Sequence, residues 1–262
     1  MLDNNKLKQL TLDATQIVLE AGKITIDAFG KVNSFVFKDI RDFATKTDLD
    51  VEEFLRNKLS KLLPEAGFIV EEGETIEEVK YNWIIDPIDQ TKSFASNLPM
   101  FFIQLALLEN NVPILGIIYQ PIANQLFAAS LNNGTTLNGK LVSVNENVSI
   151  DKAIIDIDIR GKNDLSFKNY LFDSLLTITY RLRVSGGAFP IYLTTGYLDG
   201  YVKLYTESKK FDLLPRDIIF KETGFITEYI KSNNIECYIA ANKNIFPVLK
   251  NILEESKINL VK

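Results

Sequence analysis

The chain has 262 residues, 46% of them hydrophobic and 24% charged, a globular composition with length enough for a sizeable core. At a net charge of -5 nothing suggests the basic footprint of a nucleic-acid binder, and acidic clusters at that charge favour cations as partners. Histidine is absent, which excludes histidine dyads and triads, histidine metal sites and histidine proton shuttles, and leaves hydrolytic chemistry to carboxylates, hydroxyls, lysine or an oxygen-held metal.

The polar start MLDNNKLKQL lacks the apolar core of a signal peptide. No apolar run reaches the roughly 18 residues that span a membrane, so the chain reads as soluble and cytoplasmic. Residues 7–30 carry apolar positions at helical spacing and end at Gly30, which predicts a long amphipathic helix. A second helix is predicted over 47–67, with Thr47 or Asp48 as N-cap and acidic residues in its first turn. GFIV reads as an apolar strand ending at Glu71 and Glu72, and NWIID as a short buried strand ending at Asp86. Two apolar strands follow, joined by a polar turn at 109–111, and NQLFAAS continues the meander.

Past about residue 150 the pattern changes. AIIDIDI reads as a strand whose alternating aspartates face solvent, 165–176 as a helix, and YRLRV as a strand. Residues 186–196 read as a helix opened by glycines and LDGYVKL as a strand. Residues 211–224 read as a helix with Asp212 as N-cap and Gly224 as its stop. ECYIAA is a strand whose Cys237, the single cysteine, reads as a core residue in a reducing compartment, and 244–257 is a closing helix. No repeat, low-complexity tract or linker interrupts the chain. The expectation is a single domain of α+β or layered α/β class over 1–262, with halves at about 1–148 and 149–262.

The stretch WIIDPIDQTKSF, residues 83–94, carries the chemistry. Pro87 stiffens a turn that brings Asp86 and Asp89 together at a strand end. Two carboxylates there repel each other unless a cation lies between them, and hard oxygen ligands suit Mg²⁺. The Ile88 carbonyl is a further donor. A helix begins at Gln90 and Thr91, whose amides form a natural anion site. Metal beside a phosphate cradle is what phosphoryl chemistry needs. The structural alternative is a turn in which Asp89 caps a helix. For Glu71 it is a solvated acidic loop, and for Thr47 and Asp48 plain capping.

TKTD, FIVEE, WIIDPIDQTKSF, PILGIIYQPIANQLFAAS, LNGK and FD before a helix ending ETG together resemble the inositol monophosphatase family, over roughly residues 5–255. These are Mg²⁺-dependent, lithium-sensitive phosphomonoesterases. The resemblance implies a five-layered α-β-α-β-α sandwich, commonly a homodimer. The partner it implies is a small phosphorylated metabolite, such as an inositol monophosphate, histidinol phosphate or a 3′-phosphonucleotide, with neither nucleic-acid polymer nor membrane. It implies that Glu71, Asp86, the Ile88 carbonyl, Asp89 and Asp212 bind Mg²⁺, two or three ions per site. Glu71 and Thr91 would position or activate the attacking water, with Asp48 polarising Thr91. The Gln90 and Thr91 amides would hold phosphate. Ser185, Gly186, Gly187 and Ala188 would line the substrate pocket, and Lys38 would stand near a third, loosely held metal. Asp217, mid-helix, is the rival to Asp212.

Three departures stand out. Gln90 occupies the position of a family glycine. At negative φ glutamine would be harmless there, whereas positive φ would distort the phosphate site. Phe211 replaces a tryptophan. In KLYTESKKF no clear acidic inositol contact appears, with Glu207 the nearest substitute, and Lys203, Lys209 and Lys210 would favour a second anionic group on the substrate. Two further functions compete. Asp156 and Asp158 mimic the D-x-D of an aspartyl-nucleophile phosphatase, but Arg160 stands where that motif wants threonine or valine. The other is a family fold that binds Mg²⁺ and an anion without efficient turnover, motivated by Gln90.

Overall fold

The structure, a computed structural model, describes residues 2–32, 34–37, 43–72, 79–159, 165–205, 210–232 and 235–259. In chain order its elements are α1 (Asn4–Ala28), β1 (Phe35–Phe37), β2 (Phe43–Thr45), α2 (Lys46–Leu62), β3 (Gly67–Val70), β4 (Tyr81–Asp89) and α3 (Thr91–Ala95). Then follow β5 (Phe102–Glu109), β6 (Val112–Gln120), β7 (Gln125–Ser130), β8 (Thr135–Leu137), β9 (Lys140–Val142), β10 (Ile154–Asp158), α4 (Leu165–Ile178) and β11 (Arg181–Val184). After a 3-10 segment, Phe189–Thr195, come β12 (Gly200–Tyr205), α5 (Lys210–Thr223), β13 (Ile226–Ser232), β14 (Ile235–Ala241) and α6 (Phe246–Asn259).

The chain divides into two compact units, Met1–Leu141 with Lys209–Glu222, and Val142–Ser208 with Thr223–Lys262. α5 belongs with the first unit although it follows much of the second unit in the chain.

The first unit is built on a seven-stranded sheet in the order β3-β4-β5-β6-β7-β8-β9. β3 and β4 run parallel, and the pairs from β4 to β8 are antiparallel. Alternation along the strands sorts side chains to two faces. Trp83, Ile85, Leu105 and Ile117 pack against Leu10, Ala14 and Val18 of α1 and Val51, Leu55 and Leu59 of α2. The other face, with Ile69, Ile84, Ala106 and Leu108, receives Leu214 of α5. Close approach of α5 requires glycine at 116, where a Cβ would come within 2.4 Å of the Pro215 carbonyl oxygen. The far end of α5 is tied down by Glu222, whose carboxylate accepts from the Asn132, Asn133 and Gly134 amides at 2.9, 3.1 and 2.9 Å.

The second unit holds a five-stranded sheet in the order β11-β10-β12-β14-β13. β10 runs parallel to both β11 and β12, and β14 is antiparallel to β12 and β13. One face is apolar: Ile155, Ile157, Val202 and Cys237 pack with Phe167 and Leu171 of α4 and Leu249 and Leu253 of α6.

Several local expectations are corrected. α2 is capped by Thr45, ahead of Thr47 and Asp48, because Asp48 at the third helical position closes a capping box with it. α5 begins at Lys210, so Asp212 lies in its first turn instead of at the N-cap. The helix expected over 186–196 is a 3-10 segment that starts only at Phe189, since Gly187 takes φ +60° and Pro190 follows at once. Asp156 and Asp158, expected exposed, are both fully buried. β13 escaped notice because ITEYIKS is mostly polar.

Candidate active site

The strand β4 ends in the D-P-x-D turn. Against β5 its register shifts between Asp86 and Asp89, where Pro87 has no N–H to give the ladder. Asp86 and Asp89 are only 1% and 7% exposed, and Ile88 is buried between them. Carboxylates this deep in a protein favour a cation as partner. Asp86 pairs in register with Gln104, whose Nε2 donates to Asp86 Oδ2 at 3.3 Å.

The parallel register ends at Val70↔Ile85, so Glu71 is the first residue beyond β3 and Asp86 the next residue along β4. The chain leaving β3 is held by α2. The buried Glu52 carboxylate accepts from the Glu72 amide at 3.0 Å, with Arg56 Nη1 at 3.8 Å from its other oxygen.

Asp48 ties α2 to the end of β4. Its Oδ2 accepts from the Thr45 amide at 2.8 Å and the Thr45 hydroxyl at 2.5 Å. Its Oδ1 faces the Thr91 hydroxyl at 3.1 Å, and that hydroxyl is also 3.0 Å from the Ile88 carbonyl oxygen. One oxygen of the carboxylate thus serves the helix cap and the other faces Thr91. Burial pushes the Asp48 carboxyl above its ordinary value, outweighing the hydrogen bonds from Thr45 and Thr91 that pull it down.

Gln90 takes φ +67° and ψ 49°, the left-handed region. It therefore follows the positive-φ branch of the expectation. A residue with a Cβ pays roughly 1–2 kcal/mol there. The side chain is fastened by Ser93 Oγ, which donates to Gln90 Oε1 at 3.1 Å.

Glu71, Asp86, Asp89 and the Ile88 carbonyl are all hard oxygen donors, a set whose chemistry fits Mg²⁺. Among the described residues no group of three such side chains is gathered closely enough to hold an ion. The Asp212 side chain and Lys38 lie outside the described residues. Asp217, the rival, is buried and ion-paired with Lys221 at 2.8 Å. Leu214, two residues beyond Asp212, packs on Ile84, two residues before Asp86.

Ser185–Ala188 follow β11 in the second unit. Ser185 Oγ donates to Asp156 Oδ2 at 2.6 Å, and Lys203 Nζ lies 3.7 Å from Asp158 Oδ2. Those aspartates form a buried polar face on β10, not a nucleophile pair. Three supporting residues went unread in the sequence: Thr45, Glu52 and Gln104. Glu52 falls one helical turn after Asp48, and Gln104 is a lone polar residue within FFIQLALL, so each left a faint signal.

A family model described as the inositol monophosphatase family matches residues 6–256. The chain is 27% identical over 245 residues to the fructose-1,6-bisphosphatase/inositol-1-monophosphatase of Aquifex aeolicus, covering 90% of this chain and 92% of that one. It is 29% identical over 220 residues to the inositol-1-monophosphatase of a Synechocystis species, covering 81% and 76%. Among solved structures, the extragenic suppressor protein SuhB of Bartonella henselae superposes with a TM-score of 0.83 at 24% identity, over 91% of this chain and 95% of that one. That likeness shows the fold, a layered α/β sandwich.

Proposed function

The chain belongs to the inositol monophosphatase family, a family of phosphoric monoester hydrolases, and from that membership we propose that it hydrolyses a small phosphorylated metabolite with the help of Mg²⁺. Glu71, Asp86, the Ile88 carbonyl, Asp89 and Asp212 would hold the metal. When bound, Mg²⁺ supplies positive charge for the leaving oxygen and acidifies a water. The chain's own residues do the positioning. The proton of Thr91 Oγ1 is directed to Asp48 Oδ1 or the Ile88 carbonyl, so its oxygen is left to accept a hydrogen bond from the attacking water and orient it. Glu71 orients that water from the β3 end, and the Gln90 and Thr91 amides face the phosphate. The protein contributes no covalent nucleophile.

The observation that carries this reading is the Thr91–Asp48 contact, which joins two distant motifs at the carboxylate turn. The same reading carries lithium inhibition, a homodimer, a cytoplasmic setting, and a metabolite rather than a nucleic-acid polymer as partner. No helix among the described residues is long and apolar enough to cross a membrane. The test is phosphate release from inositol, sugar, histidinol and 3′-nucleotide phosphates, with Mg²⁺ and with chelator, beside Asp89→Asn. Mg²⁺-dependent release that the variant loses supports the reading; release unaffected by chelator and by the substitution ends it.

The strained Gln90 favours a second reading: a protein that binds Mg²⁺ and an anionic ligand but turns over slowly. Under it, Gln90→Gly raises turnover strongly.

A further inference from the structure

Gln104 of β5 is fully buried, and so are its chain neighbours Phe102, Ile103, Leu105 and Ala106. Across the sheet it stands in register with Asp86 on β4 and Ile118 on β6. Ile84, two residues before Asp86, and Ala106, two residues after Gln104, belong to the cluster that receives Leu214 of α5. Strand alternation therefore puts Asp86 and Gln104 on that same face, directly opposite each other.

An amide at this position is a cost to folding. Among the described residues Gln104 Oε1 is buried with no hydrogen-bond partner, a loss that an apolar residue of similar size would avoid. Its Nε2 donates to Asp86 Oδ2 at 3.3 Å. The backbone pairing becomes irregular on the Asp89 side of Asp86, and Gln104 extends the hold from the backbone to the carboxylate itself.

Two properties of this donor bear on a cation. It is uncharged, so it orients the carboxylate without cancelling the negative charge that a cation would meet. It also restricts the rotation of that carboxylate. Mg²⁺ demands near-ideal octahedral geometry at short distances, whereas Ca²⁺ accepts more oxygens in looser arrangements, so a carboxylate held still favours the smaller ion.

We propose that Gln104 is a positioning residue which, by holding Asp86 Oδ2, biases the carboxylate turn toward Mg²⁺ over Ca²⁺. It acts through Asp86 and is not itself a proposed ligand. The inference rests on the proposed role of Asp86 in holding metal, and both residues lie within the first unit.

The experiment is calorimetric titration of the metal-stripped full chain with MgCl₂ and with CaCl₂, for wild type and Gln104→Met. Methionine keeps the length of the side chain and removes the donor. The variant should bind Mg²⁺ about 10–100-fold more weakly, the usual consequence of removing a partner of a metal ligand. Its Ca²⁺ affinity should change far less. Thermal melts with chelator report on the fold separately: a purely structural role for Gln104 would lower Tm there and leave the ratio of the two affinities where it was. If Gln104→Met does not fold, Gln104→Asn, whose amide is one carbon too short to reach Oδ2 from the same backbone, takes its place with the same expectation. Mg²⁺ binding that the substitution leaves unchanged, or an equal loss for both cations, overturns this proposal alone. A wild type that binds neither cation overturns it together with the metal reading on which it rests.

Discussion

Thr91 Oγ1 lies 3.1 Å from Asp48 Oδ1, although 43 positions separate the two residues in the chain. The contact fastens the first turn of α2 to the residue that follows the carboxylate turn. It directs the Thr91 proton away from the space in front of the hydroxyl. Thr91→Val and Asp48→Asn should each lower kcat by about 10²–10³-fold, the range for a positioned proton-handling group, with KM changed only modestly. Thr91→Ser, which keeps the hydroxyl, should retain most of the rate. Steady-state phosphate release measures all three, and an active Thr91→Val would remove the hydroxyl from the mechanism.

Asp48 also sets a pH dependence of stability in the metal-free protein. Its carboxyl is raised by burial above its ordinary 3.8, so the folded chain holds that proton more tightly than the unfolded chain. More protons bound in the folded state means that stability falls as pH rises between the two values. The contribution is fully present at low pH and lost as pH climbs through the folded value. Urea unfolding of wild type and Asp48→Asn, from about pH 4 to about pH 7, should show the wild type losing ground to the variant as pH increases. The opposite slope would mean that the hydrogen bonds from Thr45 and Thr91 outweigh burial.

Gln90 holds a conformation that glycine adopts freely. Gln90→Gly relieves roughly 1–2 kcal/mol of strain but also frees the unfolded chain by about 0.4–1 kcal/mol. The expected net gain is about 0.5–1 kcal/mol, a rise of roughly 2 °C in Tm for a chain of this size. Gln90→Ala keeps the Cβ and should give no gain. Thermal melts of the two variants separate backbone strain from loss of the Ser93 contact.

At Gly116, an added Cβ would meet the Pro215 carbonyl oxygen at 2.4 Å and Ile218 Cγ2 at 2.5 Å. The first is backbone and cannot swing aside, so α5 itself must move. Gly116→Ala should cost about 1–3 kcal/mol and, under the proposed ligand set, weaken Mg²⁺ binding, because the displaced helix carries the proposed ligand Asp212. Gly139→Ala, with φ +77° and open space around it, should cost only about 1–2 kcal/mol and leave the metal alone. Denaturation curves with parallel Mg²⁺ titrations check the contrast.

The parts of the site that were legible are those written in local pattern. Asp86, Ile88, Asp89 and Thr91 sit in one twelve-residue stretch whose proline, carboxylates and helix start each carry a physical meaning. Asp48 was legible as a first-turn acid, though its pairing with Thr45 shifted the cap. Gln104 was not, because a polar residue in an apolar strand acquires a partner only through cross-strand register. Asp156 and Asp158 alternate as solvent-facing residues do, and nothing local reveals that tertiary structure buries that face. The strain at Gln90 needed a measured φ: the sequence could state two outcomes and not choose between them.

The discontinuity of the first unit has a consequence during synthesis. The sheet from β3 to β9 has been synthesised by Val142, but the helix that packs on its second face is not made until Lys209–Glu222. At about 5–20 residues per second that interval lasts on the order of seconds. Throughout it Ile69, Ile84, Ala106 and Leu108 lack the Leu214 that packs on them in the finished fold. The exposed sheet is a natural client for chaperones until α5 arrives to close it, and the last expected metal ligand is delivered by the same segment that ends the exposure.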